Sequence, residues 1–149
     1  MGRYKELNVW KESRDFAVHV YRMTNGDRFK EDFYLKRQMQ RAAVSIPSNI
    51  AEGDERRSEK EGIRFLFIAK GSLAELDTQI EIAFNIGYID RETLAFLNRK
   101  IETIRKMLSG LIQTKRKREM AEDGIEKYCV ENLVPGTRYL EPEGPINRE

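Results

Sequence analysis

One cysteine, one histidine and four prolines in 149 residues exclude more than the common residues establish. The lone Cys129 rules out an internal disulfide and any cysteine zinc cluster. His19 is the only imidazole, so Ser-His-Asp catalysis would have to use it, and no companion serine is marked out. A di-iron bundle needs a Glu-x-x-His pair on each of two helices, and that motif is missing. So are the Walker phosphate loop, the G-x-G-x-x-G turn and the H-E-x-x-H helix. Glu75, Asp77 and Glu81 are acidic neighbours, but Asp77 and Glu81 stand four apart, a spacing expected to meet Lys or Arg rather than a metal. The expectation is a protein with no catalytic site, no cofactor and no metal. No apolar run approaches the roughly 20 residues that span a bilayer. The start Met1-Gly2-Arg3-Tyr4-Lys5 is too polar for a secretory signal, and Glu6 stands where myristoylation wants Ser or Thr. A cytoplasmic protein with no membrane partner is the expectation.

What is present is charge and helical periodicity. Charged residues make up 35% of the chain and apolar ones 40%, which suits one soluble, mostly helical domain with a real core. The net charge of +2 hides a division. Residues 1–118 hold 24 Lys and Arg against 17 Asp and Glu, for +7, whereas residues 119–149 hold 3 against 8, for −5. The body is basic and the tail acidic. Two segments follow: a helical domain over 1–118 and an acidic C-terminal tail over 119–149. In that tail Ile125 to Leu133 suits a short helix, with Tyr128 and Leu133 as docking residues. Extended or disordered chain is expected from Val134-Pro135-Gly136 onward.

Periodicity predicts four helices in the body. The first runs from about Asn8, read as its N-cap, to the stop at Asn25-Gly26, with Val9, Trp10, Phe16, Ala17, Val20, Tyr21 and Met23 on a broad apolar face. The second spans roughly Asp32 to Gly53 and carries the stripe Leu35, Met39, Ala42, Ile46 and Ile50. Ser58-Glu59-Lys60-Glu61 is a capping box, in which the Ser58 hydroxyl and the Glu61 carboxylate satisfy free N–H groups of the third helix. That helix reaches about Ile86, and Gly87 is its left-handed terminator. Asp90 caps the fourth, whose seam Leu94, Leu97, Ile101, Ile104, Leu108 and Leu111 has the spacing of an antiparallel bundle.

Two features stand out from this regular pattern. Pro47 lies inside the second helix and cannot bond the Ala43 carbonyl, so a kink is expected there. Ser45, Ser48 and Asn49 are near enough to re-bond freed backbone groups. The third helix has a seam of Leu66, Ala69, Leu73, Leu76, Ile80 and Ala83. It also carries Ile63, Phe65, Phe67, Ile68, Ile82 and Phe84 on other faces, more apolar surface than a surface helix needs. It is either the central helix of a small bundle or a helix whose second face is buried by another subunit. The second reading is favoured, because four short helices rarely enclose one of their number.

The remaining signal is basic. Lys36, Arg37 and Arg41 lie on the second helix, and Arg56, Arg57, Lys60 and Arg64 surround the turn into the third. Arginine forks suit phosphate oxygens, so this cluster is a candidate contact with a nucleic-acid backbone. The competing reading pairs these cations with Glu52, Asp54, Glu55, Glu59 and Glu61 and leaves an ordinary solvated surface. Lys115-Arg116-Lys117-Arg118 is a second basic site, also explained by a helix C-terminus whose dipole favours cations.

The string R-A-A-V-S-I-P-S-N-I-A-E-G at 41–53, then R-R-S-E-K-E and R-F-L-F-I-A-K-G-S-L-A-E-L-D-T-Q, closely resembles the 23S rRNA-intervening-sequence proteins, also called the four-helix-bundle protein family. L-N-V-W-K-E-S near the start and I-G-Y-I-D at 86–90 resemble its other recurrent pieces, so the likeness covers about residues 7–115. The resemblance implies an all-α, up-down four-helix bundle and a homo-oligomer, a ring of five subunits around a channel. It also implies a distant relation to the accessory protein of diversity-generating retroelements, which binds nucleic acid and a reverse transcriptase. Some members are encoded within insertions in bacterial large-subunit ribosomal RNA genes. The acidic tail from Glu119 is longer than the family pattern, which bears on ligand access to the basic end nearby. The functional expectation is a non-enzymatic ring that binds RNA or DNA along its backbone. The alternative is a scaffold ring for a protein partner.

Overall fold

A computed structural model describes residues 3–132, whose regular elements are all helices. Helices α1 (Asn8–Thr24), α2 (Phe33–Asp54), α3 (Glu59–Asn85) and α4 (Arg91–Asn132) form a four-helix bundle, with short 3-10 turns at Tyr4–Glu6 and Asp27–Phe29. In the packing, α3 lies between α2 and α4, and α1 packs on α2 and more lightly on α4.

The core is the set of predicted seams brought together. Met39, Ile46 and Ile50 of α2, Leu66, Leu76 and Ile80 of α3, and Leu97, Ile104 and Leu108 of α4 are all fully buried. On α4 the lower seam shifts by one residue, so that Ile112 is buried and Leu111 only partly so. Such apolar burial stabilises a bundle by about 1.5–3 kcal/mol for each large side chain.

Three of the four predicted helix starts, and the stop at Gly87, carry the expected chemistry. The Leu35 amide donates to Asp32 Oδ1 at 3.0 Å, opening α2. The Glu61 amide donates to Ser58 Oγ at 3.2 Å, and the Thr93 amide to Asp90 Oδ1 at 2.7 Å. Gly87 takes a φ of +84°, the left-handed conformation that closes α3 cheaply only with glycine. Asn8 is the exception. It is the first helical residue of α1, and the cap position falls to Leu7, which makes no side-chain cap. Of the capping box at 58–61, the hydroxyl half forms among the described residues.

The helix α2 continues through Pro47. The Ser48 hydroxyl donates to the Val44 carbonyl at 2.8 Å, and Asn49 Nδ2 donates to the Ser45 carbonyl at 2.8 Å. These bonds serve the next two carbonyls along the helix rather than that of Ala43. Ser45 and Ser72 hydroxyls share a 2.8 Å bond that ties the proline segment to α3.

The larger departure concerns α4. A helix end was expected near Lys115–Arg118, followed by a separate short helix. Instead α4 runs unbroken for 42 residues, about 63 Å, against 22 residues and about 33 Å for α2. Lys115–Arg118 therefore stand mid-helix, where no C-terminal dipole holds them. Past Lys115 no residue described is buried, and Met120 and Ile125 are exposed. Leu133 and the stretch from Val134 onward lie outside the described residues.

Candidate nucleic-acid interface

The α2–α3 turn sits at one end of the bundle, and its geometry is set by two glycines. A Cβ on Gly53 would come within 2.9 Å of the Gly62 carbonyl oxygen, and one on Gly62 within 2.9 Å of the Gly53 carbonyl. The last turn of α2 and the first of α3 thus meet backbone to backbone. Lys115 closes the site from α4. Its ammonium passes over Gly62 to reach Glu59 Oε2 at 2.8 Å, with only 9% of the side chain exposed. Arg118 approaches the other Glu59 oxygen at 3.6 Å. Desolvation offsets much of the attraction in a buried pair of this kind, whereas removing one partner alone would leave a buried charge uncompensated.

Lys115 is accordingly not a surface cation. Its position in a basic run suggested phosphate contact, but burial commits it to Glu59. Its neighbours differ. Arg116 lies over the Phe67 ring at 5.5 Å from the centroid, and Lys117 and Arg118 are exposed. The long α4 therefore brings Arg116, Lys117 and Arg118 beside the α2–α3 turn.

Around the turn itself, Arg56 pairs with Glu52 at 2.6 Å and stacks over Phe65 at 4.4 Å. Arg57, Lys60 and Arg64 are exposed and form no ion pair among the described residues. Of the five carboxylates near the turn, Glu52 pairs with Arg56 and Glu59 is turned inward to α4, while Asp54, Glu55 and Glu61 stand in the same segment as Arg57, Lys60 and Arg64. This end of the bundle is net basic once Arg116 and Lys117 of α4 are counted.

Lys36, Arg37 and Arg41 do not join this cluster. They lie near the start of α2, separated from the turn by about 25 Å of helix. There Arg37 stacks over Phe33 at 5.6 Å, in a cleft of about 710 Å³ lined also by Tyr21, Tyr34, Gln38, Gln40 and Arg41. The candidate interface is thus two basic sites at opposite ends. The aromatic residues at the second were passed over in the sequence, although Phe33-Tyr34 directly before Lys36-Arg37 was a readable signal.

The other candidates are structural. Asp77 pairs with Arg105 at 3.1 Å, as its spacing suggested. His19 packs against Phe96 with ring centroids 4.8 Å apart, and burial, then Lys100 and Arg22, lower its pKa from 6.5. No group of three or more His, Cys, Asp or Glu that could hold a metal occurs among the described residues. No helix among them is long and apolar enough to cross a membrane.

A family model described as 23S rRNA-intervening sequence protein matches residues 5–110. The chain belongs to that family. It is also similar to a crystal structure from Bacteroides thetaiotaomicron, a protein of unknown function from the S23 ribosomal protein family. The identity is 28% and the TM-score 0.65, over 70% of this chain and 97% of that one. No curated protein matches the chain. The matched family segment includes the two glycines and the α2–α3 turn. It stops before Lys115–Arg118 and the far half of α4, so the second wall of the basic site lies beyond it.

Proposed function

We propose that this member of the 23S rRNA-intervening sequence family is a non-enzymatic, oligomeric nucleic-acid-binding protein. It acts as a ribonucleoprotein accessory component that holds RNA by its backbone. The observation that carries this reading is the open basic end, where Arg57, Lys60 and Arg64 lack ion-pair partners among the described residues and Arg116, Lys117 and Arg118 stand beside them. Unpaired cations release counterions when they meet phosphates, and that release supplies most of the affinity of backbone-directed binding.

Assembly belongs to the same proposal. Phe67, Ile68 and Ile82 of α3 and Ile86 just past its end are between 44% and 51% exposed, an apolar face that the described residues leave open. Burial of that face by neighbouring subunits supports a ring, and five is the number the family resemblance implies. Five bodies of net charge +7 would together carry +35 before their tails are counted. A field of that size concentrates polyanions even without a sequence-reading element.

A second reading is a scaffold ring for a protein partner, favoured by the exposed apolar residues Met120 and Ile125 on the α4 extension. Binding of a structured RNA across a salt series separates the two. The RNA reading expects log affinity to fall steeply with log salt, by about 0.7–0.9 for each phosphate contact. The double variant Arg56→Glu, Arg57→Glu should weaken binding and flatten that slope while the helical signal stays intact. Unchanged affinity removes the turn from the interface. No binding even at low salt leaves the scaffold reading, which a partner co-purifying after nuclease treatment would support.

A further inference from the structure

We infer that the cleft between the end of α1 and the start of α2 is a second binding site, one that takes an unpaired segment of RNA and stacks its bases. The inference rests on the nucleic-acid reading above but concerns a different site and a different part of the ligand.

Three features of the cleft point to that ligand. The first is aromatic exposure: Tyr34 is 76% exposed, Phe33 63% and Tyr21 40%. Phe33 and Tyr34 open α2, just before its apolar stripe begins at Leu35, so neither is drawn into the core. Flat rings presented to solvent beside cations are what base stacking requires, because every base offers a π-face.

The second feature is charge. The lining contains Arg37 and Arg41 and no carboxylate. The nearest acid in sequence on α2's side, Asp32, is engaged elsewhere: its Oδ1 accepts the Leu35 amide, and its Oδ2 accepts the Tyr88 hydroxyl at 3.1 Å. Arg37 already lies over one face of the Phe33 ring, 5.6 Å from its centroid, so its guanidinium stands beside the exposed Tyr34 ring, where the phosphate of a stacked base would meet it. An apolar protein segment would gain little from two arginines here. A polyanion with aromatic bases uses both halves of the site.

The third feature is the amide lining. Gln38 and Gln40 border the cleft, and the Gln40 amide donates to Thr24 Oγ1 at 2.9 Å, which fixes its orientation. Glutamine amides donate and accept, so they suit base edges without selecting one base. The cleft volume of about 710 Å³ is open enough for more than one nucleotide. The site lies at the end of the bundle opposite the α2–α3 turn. One end therefore holds phosphate by charge alone, while the other grips single strands through their bases.

The test uses the full chain, a fluorescein-labelled ten-nucleotide oligouridylate and a blunt RNA duplex. The double variant Phe33→Ala, Tyr34→Ala is expected to weaken oligouridylate binding by about 5- to 150-fold for a lost base stack and to change duplex binding less than about twofold. Tyr34→Trp should keep the oligouridylate affinity, and its added emission should be quenched on binding. If the wild type binds duplex but the double variant leaves oligouridylate affinity unchanged, the stacking site is refuted and the charged end stands. If the double variant changes the assembly's mass by light scattering with oligouridylate affinity intact, the aromatic face is a subunit contact and the inference fails. If the wild type binds neither RNA at low salt, the nucleic-acid reading falls and this inference with it.

Discussion

Replacing Gly53 with alanine should destabilise the bundle, although the same change in an exposed helix is favourable. A methyl group there would lie 2.9 Å from the Gly62 carbonyl oxygen and 3.1 Å from the Phe65 Cβ. Neither neighbour can swing aside, since one is backbone in α3 and the other is the root of its side chain. Reaching ordinary contact means parting the helices by about half an ångström, which forfeits roughly a quarter of the dispersion energy of the contacts alongside. Overpacking of this kind costs about 1–3 kcal/mol. Helix propensity returns at most about 1 kcal/mol, and less at the penultimate residue of α2. The net expectation is a loss of about 1–2 kcal/mol, or a fall in Tm of about 2–8 °C. Gly110→Ala is the control. It sits within α4 with nothing within 4 Å of a new Cβ, and it should gain up to about 1 kcal/mol. Both are read by circular dichroism during urea and thermal unfolding at one protein concentration, because assembly links stability to concentration. If Gly53→Ala matches or exceeds the wild type, the glycine contact does not constrain the turn. The account of how Lys115 and the basic end are positioned then fails as well.

His19 has its pKa lowered by burial, with Lys100 and Arg22 adding repulsion. The unfolded chain therefore binds the proton more readily, so stability present above the ordinary value of 6.5 should be lost as pH falls through the lower folded value. Unfolding midpoints measured across that range should show the slope in the wild type and a flatter one in His19→Gln; equal slopes would assign the pH dependence to other groups. Removal of residues 119–149 takes away a net −5 and should tighten RNA binding a few-fold at low salt. The gain should vanish near 1 M salt, where the Debye length is about 3 Å. Weaker binding after the truncation would mean that the extension contributes contacts rather than repulsion.

Local chemistry was legible in the residue order wherever a short-range rule governed it. The stripes of α2 and α3 are buried as their spacing required, because a 3.6-residue period leaves one face for a core. Asp32, Ser58, Asp90 and Gly87 end or begin helices as their side chains dictate. Asn8 misled, since a capping residue type does not act when the preceding residue takes the cap position. The end of α4 was misplaced because a run of four cations reads equally well as a terminus and as the exposed side of a continuing helix.

What the order of residues determined, then, was the number of helices, their buried faces and the family to which the chain belongs. Each depends on spacing or on a contiguous string. The tertiary structure decided which charges remain available. Lys115 looks identical to Lys117 in the chain, yet it alone falls on the seam of α4 and is spent on Glu59. Arg37 and Arg57 share a charge and a neighbourhood in sequence, yet about 25 Å of rigid helix makes them parts of separate sites. Electrostatic and packing partners are set by distance through space, and that distance exists only once the helices have crossed at Gly53 and Gly62.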